Sequence, residues 1–461
     1  MIKKFHKISL FIICILALGL NSCEEKKEHS LSVIEIDYYA DHLGLGDYND
    51  CEMKFFDENG KVIYDLTPQL KYRGNSSFQY PKKCFTLKLD EPKSFAGMDK
   101  NIYWKLNADY IDKTFMRNKI SYELFRSFSE ENYAPKVDYV VLYENENYKG
   151  IYSIVEGVDE FRLGLDLKDP KAVLFKEPPL HFPPSEHASN YKNFAHYSEV
   201  DERYAMYSQK AKKKLIKRAY YNQRYPEISD SNKKNDIHKL TKFIHNSSDE
   251  DFKNKVFTEY FSIDNIMDWH LLLLITNNGD GIKKNNYFFK RNATSPYLYC
   301  PWDFDHSFGR EGDGEPITED ICDIQSHKLF ERLVELNPDD YAEKLPKKFK
   351  KLVESGILSV KHIHEMIDEN TGNLRPEIKA NEVRWPLDDI GYFKGKDFEK
   401  EVQLMKDWIK ERLPRIEKYL EELQPISKGE YSFGSVIRPL AYDPPMVFDK
   451  PVGSAIQAPD Y

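Results

Sequence analysis

Apolar and polar positions follow two different periods along this chain, and the change from one to the other falls near position 236. Before it the pattern is short: 31–37, 52–56, 71–74, 84–89 and 137–143 alternate or run apolar over a few residues, as β-strands do. One interval among them differs. Over 113–128 the apolar residues Phe115, Met116, Ile120, Leu124 and Phe125 recur at helical spacing, which predicts a helix set among strands. After the change the period is helical, over 239–245, 263–275, 327–336, 339–355, 360–370 and 398–423. The helix at 263–275 is apolar on nearly every side, so it belongs inside the molecule. Asn277, Asn278 and Gly279 behind it are helix-exit residues that deliver Asp280 to a fixed place. Two strand-like stretches, 287–290 and 297–299, follow.

These periods divide the chain into a strand-rich N-lobe (31–175), an inserted segment (176–236), a mainly helical C-lobe (237–424) and a Pro-rich tail (425–461), an α+β arrangement. The insert is poor in aliphatics, with a helix expected near 204–221. Its basic run Lys210 to Arg218 reads as a solvated helix face, with a docking surface for an acidic substrate or nucleotide phosphates as the alternative. No internal repeat is visible. The first 22 residues change the picture of where the chain works: lysines, an apolar run of about 13 residues, then Leu20-Asn21-Ser22-Cys23. This reads as an export signal too short for a spanning helix. The spacing resembles a bacterial lipobox, which makes 1–22 a lipoprotein signal peptide, Cys23 the lipidated residue and 23–30 a tether. The expectation is a lipid-anchored protein of the bacterial cell envelope, at the outer membrane or cell surface.

A formal charge of −9 with 31% charged residues argues against nucleic acid as the main partner. The aromatic content, 14% with 31 Tyr, reads mainly as aromatic cores and strand pairs. Of six cysteines, Cys14 lies in the signal and Cys23 at its end. Export permits disulfides among Cys51, Cys84, Cys300 and Cys322, with Cys51–Cys84 and Cys300–Cys322 as the local pairings. No CxxC or HExxH spacing points to zinc.

The candidate chemistry lies in two short segments. Asn277-Asn278-Gly279-Asp280-Gly281-Ile282-Lys283-Lys284-Asn285-Asn286-Tyr287 has an aspartate and, five residues on, an asparagine; Pro301-Trp302-Asp303-Phe304-Asp305-His306-Ser307-Phe308-Gly309 adds a carboxylate 23 residues after the first. That is the spacing at which a phosphoryl-transfer site offers a base carboxylate, a metal-binding amide and a metal-binding carboxylate. Asp280 fits the base, and Asn285 and Asp303 are hard oxygen ligands for a hard ion. Asp305, two residues on, shares a face with Asp303 if that stretch is extended, as a second ligand or an orienting group. Asn286 is the alternative ligand by register. Two aspartates this close suit a metal better than the flanking carboxylates of glycoside hydrolysis, which stand about 5–9 Å apart.

Further segments extend the pattern: Arg73-Gly74-Asn75-Ser76-Ser77, Pro81 to Leu89, Trp104-Lys105-Leu106-Asn107-Ala108-Asp109-Tyr110, Met116-Arg117-Asn118-Lys119, and Tyr148 to Tyr152 before Glu156. In this order, with the two segments above, they make roughly 60–420 resemble the CotH family of atypical protein kinases. The resemblance implies a divergent bilobal protein-kinase-like fold that binds ATP with Mg2+ (Mn2+ as an alternative) and phosphorylates Ser or Thr of a protein partner. By position it implies Asp280 as catalytic aspartate and Asn285 and Asp303 as metal ligands. It implies a phosphate-binding turn at Arg73, Asn75 and Ser76, and a phosphate lysine at Lys82 or Lys83, with Lys88 behind them and Glu156 as that lysine's partner. The chain departs from the family pattern at Gly279, where many members have Trp, and at Lys284-Asn285-Asn286-Tyr287, where many have His-Asn-Tyr-Tyr. A catalytically silent surface adhesion or assembly protein on the same fold is the alternative.

Overall fold

The computed structural model describes residues 29–39, 43–44, 47–74, 76–181, 183, 223–227, 236–310, 316–317, 321–386 and 397–429. The segment 1–22 expected to be a signal peptide, Cys23, Asn75, the helix expected at 204–221 and the tail from 430 on lie outside the described residues. In chain order the N-terminal part carries β1 (Ser32–Asp37), β2 (Asn49–Asp50), β3 (Glu52–Phe56), β4 (Val62–Leu66), β5 (Gln69–Arg73), β6 (Cys84–Lys93), β7 (Asn101–Asn107), α1 (Arg117–Phe128), β8 (Val137–Glu144), β9 (Asn147–Glu156) and β10 (Val173–Lys176). There follow β11 (Gln223–Tyr225), α2 (Asp236–Asn246), α3 (Asp249–Lys255), α4 (Ile263–Thr276), α5 (Asp280–Lys283), β12 (Asn286–Lys290) and β13 (Tyr297–Pro301). The chain closes with α6 (Lys328–Leu336), α7 (Tyr341–Glu354), α8 (Val360–Arg384), α9 (Phe398–Glu421) and α10 (Leu423–Ser427). The α+β character expected from the two periods is what the structure has.

Nine strands form one sheet in the order β2-β5-β6-β7-β9-β8-β1-β3-β4, antiparallel throughout except for the parallel pair β1/β8. Alternation along β8 and β9 sorts two cores. Tyr139, Val141, Ile151 and Val155 face the helices, whereas Val140, Leu142, Tyr152 and Ile154 face a second cluster on the other side. The hairpin between β8 and β9 turns at Asn145 and Glu146, both left-handed (φ 48° and 63°), the geometry that suits the right-handed twist of the flanking strands. Phe95, between β6 and β7, stands edge-on to Phe55 (5.0 Å), Tyr64 (5.6 Å) and Trp104 (5.1 Å), so one ring ties β3 and β4 to β7 across the curled sheet. The ring is fully buried. Phe95→Ala is therefore expected to cost about 3–5 kcal/mol in a denaturant titration. A midpoint equal to the parent's would mean that the curl is held elsewhere.

A smaller antiparallel sheet, β11-β10-β12-β13, lies in the helical part. The largest apolar cluster is continuous from Leu31 to Ile426, and joins the inner face of the nine-stranded sheet, α1, this second sheet and the C-terminal helices. α4 runs through its middle with twelve buried residues, capped by the Ser262 hydroxyl at one end and by Asn277 at φ 51° at the other. α1 starts later than its apolar pattern suggests. Phe115 sits at φ 62°, and Asp112 and Thr114 form a turn whose carboxylate and hydroxyl take the first free N–H groups, including Arg117 N–H to Asp112 Oδ2 at 3.1 Å. α8 instead overruns its expected end, continuing through Pro376 to Arg384, because Leu374, Ile378 and Asn381 are buried along the same face. All four described cysteines are buried and none forms a disulfide, so neither local pairing is present; Cys51 and Cys322 turn their thiols to the Pro68 and Leu273 carbonyls. Among the described residues no helix is long and apolar enough to cross a membrane.

Candidate functional site

The C-terminus of α4 sets one side of the site. Asn277 Oδ1 accepts from Arg412 (2.9 Å) and from the Cys322 N–H (2.7 Å), and Asn278 Oδ1 accepts from the Gly281 N–H (2.9 Å). These bonds fix the turn that holds Asp280 at the start of α5. Asp280 Oδ2 meets Lys284 Nζ at 2.9 Å and His306 Nδ1 at 3.1 Å, so one carboxylate oxygen takes both cations. Burial alone would raise its pKa, but His306 and Lys284 together hold it below the ordinary aspartate value.

The two motif segments are laced together at β12 and β13. Asn285, left-handed at φ 59°, donates its side-chain amide N–H to the Asp303 carbonyl at 2.8 Å, and its backbone carbonyl accepts from the Trp302 N–H at 3.1 Å. Its Oδ1 accepts no hydrogen bond among the described residues. Asp303 is left-handed as well (φ 62°), so 303–305 is not an extended stretch; the strand ends at Pro301. α1 holds this turn from below. Tyr122 hydroxyl accepts from the Asp303 N–H (2.8 Å), Asn118 Oδ1 accepts from the Phe304 N–H (2.6 Å), and Tyr122 donates to that same Asn118 oxygen (3.1 Å). Asn118 and Tyr122 are four apart on one helix face, which is how a single element sets two consecutive backbone groups.

Asp305 is pushed up to about 6, first by burial and then by the Asp303 charge. Burial opposes the His306 imidazolium, but Asp280 and Asp305 lift it to about 9. The ring thus stands between base and metal candidates, 3.9 Å from Asp305 Oδ1 on its other side. Among the described residues no three His, Cys, Asp or Glu side chains gather as a metal cage. Mg2+ does not require one: it keeps waters and is bound through one or two carboxylates plus substrate phosphates. Asp303 and Asp305, close together with the free Asn285 oxygen, fit that donor set.

The phosphate-binding candidates separate. Arg73 reaches the site: its guanidinium lies over the Trp302 ring at 5.4 Å and bonds Asn107 Oδ1. Ser76 opens a short 3-10 turn, Ser76–Gln79, beside it. Lys82 is buried and spends its ammonium on the carbonyls of Ala108 (2.8 Å) and Ile151 (2.5 Å) and on Asn381 (3.3 Å), with Tyr152 and Phe115 rings around it. Burial pushes it down to about 7. Lys83 folds back onto the Phe78 carbonyl (2.6 Å) and Lys88 onto Gln69 (3.4 Å). Glu156 is buried at the end of β9, where it accepts the Lys136 N–H at 3.0 Å and pairs with Arg162 at 3.1 Å rather than with any lysine of 82–88.

Sequence reasoning gave no role to His306, Trp302, Asn118 and Tyr122. The first two lie inside the quoted segment, and the helical spacing of the last two was the available signal.

The CotH kinase protein family model matches residues 70–416. Inner spore coat protein H of Bacillus subtilis (strain 168) is 25% identical over 358 residues, which is 78% of this chain and 88% of that protein. The match runs from β5 to α9 and takes in Arg73, α1, Asp280, Asn285 and the Asp303 turn. This chain belongs to the CotH family.

Proposed function

We propose that this protein is an exported, lipid-anchored atypical kinase that transfers the γ-phosphate of ATP to Ser or Thr of a protein acceptor, on a divergent kinase-like fold. The observation that carries the reading is the convergence of Asp280, Asn285 and Asp303 on one turn-and-hairpin unit, with the Asn285 oxygen and two neighbouring carboxylates open to a cation. Family membership supports the reaction class, and the 1–23 segment supports export and the anchor.

In this mechanism Asp280 orients the acceptor hydroxyl and takes its proton. Because Lys284 and His306 both engage Oδ2, the free oxygen is Oδ1. The hydroxyl oxygen forms its bond to the γ-phosphorus, the bond from that phosphorus to the bridging oxygen breaks, and the electron pair leaves on ADP. A depressed base suits a loose transition state, in which the proton moves late. Asn285 Oδ1, Asp303 and Asp305 would hold Mg2+, which when bound offsets charge on the phosphate oxygens. Asn118 and Tyr122 keep the Asp303 turn in its left-handed conformation.

The rival, a silent adhesion or assembly protein, draws on the two cations already neutralising Asp280. Labelled ATP with Mg2+ and the mature chain separates the two. Label is expected on the protein or an added acceptor, together with a Mg2+-dependent rise in melting temperature with ATP. Asp303→Asn is expected to lose that rise and to lower transfer by roughly 100-fold or more. No label and no ATP-dependent stabilisation in the parent would select the rival.

A further inference from the structure

The faces of β5, β6 and β7 are chemically unlike. One contributes Leu70, Phe85, Leu87, Trp104 and Leu106 to the apolar cluster inside the curled sheet. On the other, strand register places Lys71 opposite Thr86 and Thr86 opposite Lys105, with Arg73 two residues beyond Lys71 and Lys88 two beyond Thr86. Four cations therefore share one sheet face. Lys105 Nζ bonds the Thr86 hydroxyl at 3.4 Å, and no carboxylate stands within ion-pair distance of Lys105 or Arg73 among the described residues. Burial, then the charges of Arg73, Lys71 and Lys176, push Lys105 well below the usual lysine range. Half-buried cations crowded together in this way are set up for an anion.

Trp302 connects that face to the metal turn. Arg73 lies over its ring at 5.4 Å and Lys176, at the end of β10, at 5.9 Å, where Lys176 also pairs with the neighbouring Glu177 at 3.1 Å; Tyr287 meets the ring edge-on at 5.4 Å. The indole is buried and its N–H has no acceptor among the described residues. The next residue is Asp303. An anion held by Arg73 and Lys105 beside this buried ring therefore lies next to the residue that precedes Asp303, within reach of a cation held there. A chain of phosphates has the length and charge to do both, which a single carboxylate does not.

We propose that Lys105, with Arg73 and Lys176, is the seat of the nucleotide polyphosphate, so that the phosphate-gripping lysine of this chain stands in the middle of β7 without a glutamate partner. The inference rests on the kinase reading and replaces Lys82 and Lys83 in the phosphate role. Calorimetry on the mature chain with Mg2+, using ATP, inorganic tripolyphosphate and AMP in turn, tests it. Lys105→Met is expected to bind ATP and tripolyphosphate roughly 10- to 100-fold more weakly, with AMP changed far less, and Lys105→Arg to recover part of the loss. Lys176→Gln, at a strand end, is expected to weaken tripolyphosphate several-fold, and serves if Lys105→Met does not fold. If the parent binds ATP and these variants bind tripolyphosphate as the parent does, the seat is elsewhere and the kinase reading stands. A parent that binds neither ATP nor tripolyphosphate removes both.

Discussion

Asp280→Asn is expected to keep ATP and Mg2+ binding while kcat for phosphate transfer falls by about two to four orders of magnitude, the contribution of a positioned base. The substitution is isosteric. The new amide oxygen can still accept from Lys284 or His306, but it cannot take a proton from the acceptor hydroxyl. Folding should barely notice: Lys284 is more than half exposed, and pairs of this kind contribute only about 0–1 kcal/mol. Measured separately, nucleotide affinity by calorimetry and single-turnover transfer should therefore move apart, with the first near the parent and the second nearly lost. A variant that retained more than about a tenth of parental turnover would show that Asp280 is not the base, and would turn attention to its cationic neighbours as a structural clasp.

The contrast between Asp280 and the lysines explains what was legible in advance. Asp280, Asn285 and Asp303 are set by local spacing, and the turn that joins them follows one buried helix and one hairpin, features with strong short-range signals. β3 and α4 matched their expected bounds closely for the same reason, one by alternation and the other by an apolar run between a serine cap and an asparagine exit. The candidate phosphate residues depend on something else. Whether Lys82, Lys83, Lys88 or Lys105 faces a cleft is decided by strand register between β5, β6 and β7, and a shift of one residue moves a side chain to the opposite face. Nothing local distinguishes Lys82, whose ammonium is used up on backbone carbonyls and Asn381 from α8, some 300 residues away. Glu156 tells the same story, since its partner Arg162 lies in the loop after β9. The overrun of α8 through Pro376 is another tertiary effect: burial along one face outweighs the hydrogen bond that proline removes.

Arg117→Met is expected to cost about 3–5 kcal/mol of folding stability, the loss typical of breaking a buried charge network by removing one member. Arg117 is 1% exposed. It pairs with Asp112 on the turn before α1 and reaches Glu401 on α9 at 3.4 Å, and Glu401 in turn takes both arms of Arg310, at 2.9 and 2.7 Å. Two carboxylates and two guanidiniums thus balance inside the molecule. Methionine fills much of the volume but leaves Asp112 buried with only Thr114 and backbone N–H groups, so the whole loss falls on an uncompensated charge. Arg117→Lys restores the charge without the planar fork and should recover part of the loss. The same side chain also donates Nε–H to the Ser307 carbonyl at 3.0 Å, in the loop that carries Asp303 and Asp305. Transfer should accordingly fall in Arg117→Met even at temperatures where it remains folded, while Phe95→Ala, remote from the site, should lose stability and keep its turnover. Equal stability of parent and Arg117→Met in a denaturant titration would mean that water reaches this network and screens it. Loss of stability with full turnover would mean that Asn118 and Tyr122 hold the metal turn without it.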